Sequence, residues 1–174
     1  MAGDHENEAG LIKIPARIIL DEIQNGKSYK PVVHNRVIVT GDLDVDELNL
    51  PTKHVDRRPE VLSEYKKENI SDVCKVVSAS IRITNSVFNG KVNFNNTLFK
   101  GSINFENTTS IGDADFIGAI FCRDAKFIGD TFNGHANFNS AKFVNVSFER
   151  ATFRFYAIWG YATFNGEVNR TRRI

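Results

Sequence analysis

From Ile81 to Gly166 the chain repeats one five-residue unit: a small residue, any residue, Phe, then two mostly polar residues. Ala114-Asp115-Phe116-Ile117-Gly118 and Ala136-Asn137-Phe138-Asn139-Ser140 show it plainly. The residues in the middle slot are Ile83, Phe88, Phe94, Phe99, Phe105, Ser110, Phe116, Phe121, Phe127, Phe132, Phe138, Phe143, Phe148, Phe153, Trp159 and Phe164. Of 14 Phe residues, all but Phe155 occupy that slot. Spacing alternates between five and six, because an extra residue (Lys91, Ser102, Asp113, Asp124, His135) follows every second unit. The alternation lapses after Asn145 and returns with Tyr156. A short period with one large and one small apolar slot marks a repeat architecture. Each unit buries its ring only by stacking on the same slot one coil away.

An eleven-residue double unit could also describe a helical repeat. Helical burial needs apolar residues three and four apart, whereas here they lie two apart, then five or six. Asn, Gly, Thr and Phe are also mediocre to poor helix formers. The i, i+2 spacing suits short extended segments with both side chains on one face. Asn and Gly behind the ring suit turns with unusual backbone angles. These residues predict strands and turns.

These units resemble pentapeptide repeat proteins, in particular a Phe-centred subgroup with alternating spacing. The resemblance implies an all-β fold, a right-handed quadrilateral β-helix with four units per coil. The middle-slot residues from Phe88 to Phe164 named above would then be its structural core. Three positions depart from the pattern: Ser110 in a middle slot, where Ile111 could slip in; Trp159 in place of Phe; and Asp130 in an inward small slot. A buried carboxylate needs partners, so Asp130 is expected to bond turn amides.

The same pattern appears earlier, with centres at Val39, Val45 and Leu50, which begin a first coil. Residues 51–75 then read as an insertion, within which Val61–Asn69 fits either a short helix or a loop. Val76–Ser80 completes the turn. About five coils result over residues 37–166. Leu11–Gln24 reads as an amphipathic helix within a capping segment, 11–26, with Ile14, Ile18, Ile19 and Ile23 as its stripe and Gly26 as its stop. Such a helix would cap the open end of the stack. Residues 1–10 read as disordered and 167–174 as a basic tail.

No apolar run approaches the length of a membrane span. The acidic N-terminus lacks a secretory pattern, and two cysteines, Cys74 and Cys122, suit a reducing compartment, so a cytoplasmic protein is expected. Cys122 falls in an outward slot as an inert exposed thiol. His5, His34, His54 and His135 are scattered without metal-ligand spacing, and no phosphate loop or nucleophile elbow appears. Asp113, Asp124 and His135 share the extra slot and would stack along one edge, as solvated corner residues rather than a catalytic group. Neither metal, cofactor nor small-molecule substrate is expected, and no enzymatic activity.

Charge bears on function. Residues 1–75 hold 11 basic and 14 acidic side chains; the rest hold 11 basic and 7 acidic. Arg150, Arg154, Arg170, Arg172 and Arg173 gather toward the end and form a candidate interaction surface. The resemblance implies a scaffold or protein-interaction module with an unnamed protein partner. Some members bind DNA gyrase as acidic mimics of duplex DNA and pair through their C-terminal coils. A mildly basic coil argues against mimicry, and no specific nucleic-acid binding is expected. A homodimer through the C-terminal coil and a regulatory domain of a larger or membrane-associated protein are the other readings.

Overall fold

The computed structural model describes residues 10–57 and 70–169. Its strands form a β-solenoid with one helix near the N-terminus. Four parallel ladders make its faces. The first carries Ile12–Pro15, Val37–Thr40, Val87–Phe88, Thr109–Ser110, Thr131–Phe132 and Thr152–Phe153. The second carries Leu43–Asp44, Val92–Asn93, Ala114–Asp115, Ala136–Asn137 and Ala157–Ile158. The third stacks Val77, Phe99, Phe121, Phe143 and Phe164. The fourth stacks Val32, Ile81, Ile103, Ala125, Val146 and Val168. Where the alternation holds, successive rungs lie 22 residues apart, two long units and two short ones, as for Asp113 and His135. Across the lapse the spacing is 21, as for Ala136 and Ala157, and across the insertion it is 49, as for Leu43 and Val92.

The alternation of five and six has a physical source in two kinds of corner. Behind the second and fourth faces the chain turns through one left-handed residue, and no extra residue is needed. Those positions are Asn96, Gly118, Ser140 and Tyr161 on one edge, and Asn85, Asn107, Gly129 and Arg150 on the other. Asn and Gly are the residues that tolerate that conformation best. Behind the first face the corner takes the extra residue and lies tight on the coil before it. A Cβ on Gly134 would come within 2.6 Å of the Gly112 backbone.

The lapse after Asn145 becomes a β-bulge. Phe121 pairs with Phe143 and Asp124 with Asn145, so Cys122 and Arg123 oppose Val144 alone. One strand, Ile120–Lys126, therefore runs unbroken around a corner that elsewhere turns. The Cys122 thiol is exposed there.

Inside, rings stack down the ladders. Phe116 lies 5.1 Å from Phe138, Phe121 4.6 Å from Phe143, and Phe127 5.0 Å from Phe148, all near parallel. Rings on adjacent faces meet edge-on, as for Phe132 and Phe138, and so do Phe127 and Phe138 across the coil from opposite faces. Both geometries are favoured by the ring quadrupole. Ser110 itself occupies the inward slot at 4% exposure, and Ile111 points out at 48%. The ladder explains why no slip occurs: Ser110 is registered between Phe88 and Phe132, and moving Ile111 inward would invert every neighbour on that strand.

The front differs from the helix over 11–24. Ile12–Pro15 is a strand that pairs with Val37–Thr40, and the helix α1 spans only Ala16–Gln24. Pro15 disfavours helical geometry at Ile14 and stands as N-cap in extended conformation. Starting one turn later rotates the stripe: Ala16, Ile19, Leu20 and Ile23 are buried in the core, while Ile18 faces solvent. At the other end, Val168–Asn169 pair with Val146–Ser147, so strand structure extends past residue 166 into the segment read as a tail.

Candidate interaction surface

With the inward slots filled by rings, the polar chemistry lies on the faces and corners. On the second face the outward row reads Asp44, Asn93, Asp115, Asn137 and Ile158. On the fourth it reads Arg82, Asn104, Lys126, Ser147 and Asn169. Side chains tie rungs together: the Asn93 amide donates to Asp44 Oδ1 at 2.8 Å, and the Ile117 amide donates to Asn95 Oδ1. Asn137 also serves its own turn, its Oδ1 accepting from the Asn139 amide at 3.0 Å. Partial burial pushes the Asp115 carboxyl above its ordinary value, and Asp113 nearby adds to that, against Lys91 and His135.

Asp113, Asp124 and His135 do not share one edge. The Asp113 carboxylate accepts from the His135 amide at 2.9 Å, with Tyr156 stacked on the His135 ring one coil further. Asp124 sits behind the third face, where Asn145 Nδ2 donates to it at 2.9 Å. The physical reason lies in the period. Consecutive extra residues are half a coil apart and fall on opposite corners; only every second one is in register.

Asp130 is buried to 1% exposure in the small slot that Ser86 and Thr108 fill in earlier coils. Its Oδ1 accepts from the Thr108 amide at 2.8 Å, an interstrand bond that resembles the expected turn contact. Burial pushes its carboxyl well above the usual range; the Thr108 bonds oppose that, and Glu106 adds slightly to it.

The insertion's flanks contribute what the sequence reading did not foresee. Val61–Asn69 lies outside the described residues. Thr52–His54 pair antiparallel with Val73–Val77, and residues 55–57 and 70–72 lie over the third face. Outward-pointing Cys74, Val76 and Leu98, with Val55 and Ile120, make a small second core beneath them. Arg57 is buried there, donating to Gly118 O at 2.7 Å, to Ser71 O at 2.6 Å and to the Cys74 Sγ at 3.3 Å. The Ser71 amide donates to Asn96 Oδ1, and Lys142 Nζ to Asp56 O. Burial pushes the Cys74 thiol up, against the opposing pull of Arg57. The signal was present as apolar residues in outward slots, Leu98 and Ile120. Arg57→Ala is expected to cost about 3 kcal/mol, since it strands buried carbonyls and opens the cluster; thermal unfolding measures this.

The sequence-predicted core residues lie as follows. Phe88, Phe94, Phe99, Phe105, Phe116, Phe121, Phe127, Phe132, Phe138, Phe143 and Phe148 are buried, and Phe153, Trp159 and Phe164 are half-buried at the last rungs. Arg150 and Arg154 are exposed, with Glu149 3.3 Å from Arg150. Arg170, Arg172 and Arg173 lie outside the described residues. Among the described residues, no helix is long and apolar enough to cross a membrane.

Residues 83–129 match the family model described as Pentapeptide repeats (9 copies). No curated protein and no solved structure gives a match. The five-residue unit, its rungs and that match together make the chain a pentapeptide repeat protein.

Proposed function

We propose that the chain is a non-enzymatic, cytoplasmic scaffold whose flat faces hold polar side chains in register for a protein partner. The supporting observation is the regularity of the outward rows. On the fourth face Arg82, Asn104, Lys126, Ser147 and Asn169 stand on successive rungs, fixed by ladder hydrogen bonds such as Phe105 N to Lys126 O. Backbone positions pre-ordered in this way lose little freedom on binding, which favours recognition by a large, flat interface. The faces also differ in charge: the second shows Asp44 and Asp115, the fourth Arg82 and Lys126. A partner would distinguish them electrostatically.

Charge reversal of one face at a time tests this. A partner captured by the native protein is expected to be lost with Arg82→Glu and Lys126→Glu, or with Asp44→Lys and Asp115→Lys, but not with both pairs separately. Equal retention by the two variants, or no captured partner at all, would refute the reading.

A further inference from the structure

The outward pattern changes abruptly on the last described coil. Behind the first face the earlier coils carry Gly90, Gly112 and Gly134, then Lys91, Asp113 and His135; the last carries Phe155 and Tyr156. On the second face Asp44, Asn93, Asp115 and Asn137 are followed by Ile158. At the left-handed corner Asn96, Gly118 and Ser140 are followed by Tyr161, at φ 56°, where an aromatic residue is strained. Four polar or glycine positions have thus become apolar within seven residues. Their exposures are 64% for Phe155, 73% for Tyr156, 40% for Ile158 and 58% for Tyr161. From Ile81 onward, the other large apolar side chains exposed among the described residues are Ile111 and Val144. Core packing does not account for the change: all four side chains point away from the core, and only Phe155 and Tyr156 meet another ring, that of His135. Phe155 is the one Phe in the chain outside a middle slot.

We propose that this edge of the last coil docks on an anionic lipid surface, with Phe155, Tyr156, Ile158 and Tyr161 as its anchors. Charge selects the occupant. In the sequence, residues 76–149 hold 6 basic and 6 acidic side chains, whereas residues 150–174, the stretch that carries the patch, hold 5 basic and 1 acidic. Arg154 immediately precedes Phe155 and is exposed. Tyr rings favour the headgroup level of a bilayer, where one end is apolar and the other wet. Phe and Ile reach the acyl boundary, and arginines nearby gain from anionic headgroups. A single-stranded nucleic acid would use the rings and arginines, but base stacking has no use for Ile158. It also calls for a line of cations along a groove. The described fourth face alternates Lys126 with Asn104 and Ser147 instead. The proposal does not depend on which protein the other faces bind.

The full chain should be mixed with phosphatidylcholine vesicles, and separately with vesicles of phosphatidylcholine and phosphatidylglycerol. Binding is read by co-sedimentation and by emission from Trp159, the sole Trp, which is half-buried beside the patch. The variant carries Phe155→Gly, Tyr156→Asp, Ile158→Asn and Tyr161→Asn, each the chain's own choice at that slot in an earlier coil, so the coil should hold. Binding to the anionic vesicles, weakened by salt, is expected. The variant should lose it by more than about tenfold while its Tm is unchanged or higher. Absence of binding to anionic vesicles, or equal binding by the variant, would overturn the proposal. So would a dimer of the native chain that the variant dissolves, or a labelled oligothymidylate that only the native chain retains, when neither is accompanied by vesicle binding.

Discussion

Phe138→Asp is expected to abolish cooperative unfolding, with no melting transition by calorimetry or circular dichroism. The Phe138 ring is fully buried, stacked between Phe116 at 5.1 Å and Trp159 at 4.4 Å, with Phe127, Phe132 and Phe148 against its edges. Removing a ring of that size from a core costs about 3–5 kcal/mol through lost contacts and the void left behind. The new carboxylate adds a desolvation penalty of several kcal/mol, because only rings surround it. Domains of ordinary size have a total stability of about 5–15 kcal/mol, so the sum reaches the limit of what the fold can lose. Coupling through nearest neighbours aggravates the loss, since one slot supports the coils on both sides. The same result is expected for Phe116→Asp and Phe127→Asp. As a comparison, Lys126→Gln, outward and exposed, should stay within about 0.5 kcal/mol of the native protein. Asn137 is a poorer comparison, because its carboxamide closes a turn onto the Asn139 amide. Native melting in Phe138→Asp would mean that the ring does not face inward.

Asp130→Thr is expected to stabilise the protein, the less usual direction for a change at a buried site. The slot holds Thr108 one coil earlier, so Thr fits by the chain's own precedent. Asp130 places a carboxyl where burial penalises its charge, so its folded-state proton affinity is raised above the ordinary value of 3.8. The sign follows from that direction. Below 3.8 the group is protonated folded and unfolded, and costs nothing through ionisation. As pH rises, the unfolded chain ionises first and is stabilised relative to the folded one. Stability therefore falls from about pH 4 upward, and levels off only once the buried carboxyl has also lost its proton. At neutral pH the gain in Asp130→Thr is expected to be about 2 kcal/mol, or about 6 °C in Tm. Asp130→Asn keeps the acceptor for the Thr108 amide and should remove this part of the pH slope. Melting temperatures between pH 4 and pH 8 measure both variants. A native slope unchanged in Asp130→Asn would show that Asp130 is ionised without penalty.

Much of the solenoid was legible because its determinants are local and repeated. One large inward residue every five or six positions, with a small one two before it, leaves few ways to bury fourteen aromatic side chains except by stacking coils. The left-handed corners at Asn85, Asn96, Asn107, Gly118 and Gly129 were equally readable, as Asn and Gly at fixed offsets; those at Ser140, Arg150 and Tyr161 were not. Legibility failed where a neighbouring coil decides. Ser110 is small, and local preference would exchange it for Ile111; the ladder to Phe88 and Phe132 holds it inward. Ile12–Pro15 carries a helix-like stripe but has an open strand edge, Val37–Thr40, to pair with, and hydrogen bonds to that edge outweigh propensity.

The surface divides in the same way. Outward residues at 22-residue spacing stand in rows whatever their identity, so the rows on the second and fourth faces follow from the repeat alone. The pairing of Asp113 with His135, and the separation of both from Asp124, needed the phase of the coil, which adjacent extra slots do not reveal. The second core under residues 55–57 and 70–72 needed more. Leu98, Ile120 and Cys74 come from three coils, and Arg57 joins them through a carbonyl 61 residues away. No local period encodes such a contact. The amino-acid sequence by itself determined the repeat, the inward rings and the turning corners, because each rests on interactions within a unit or with its copy one coil away. Which residues meet across unlike segments was decided only by the tertiary structure, because those contacts depend on where an irregular excursion returns to a regular coil.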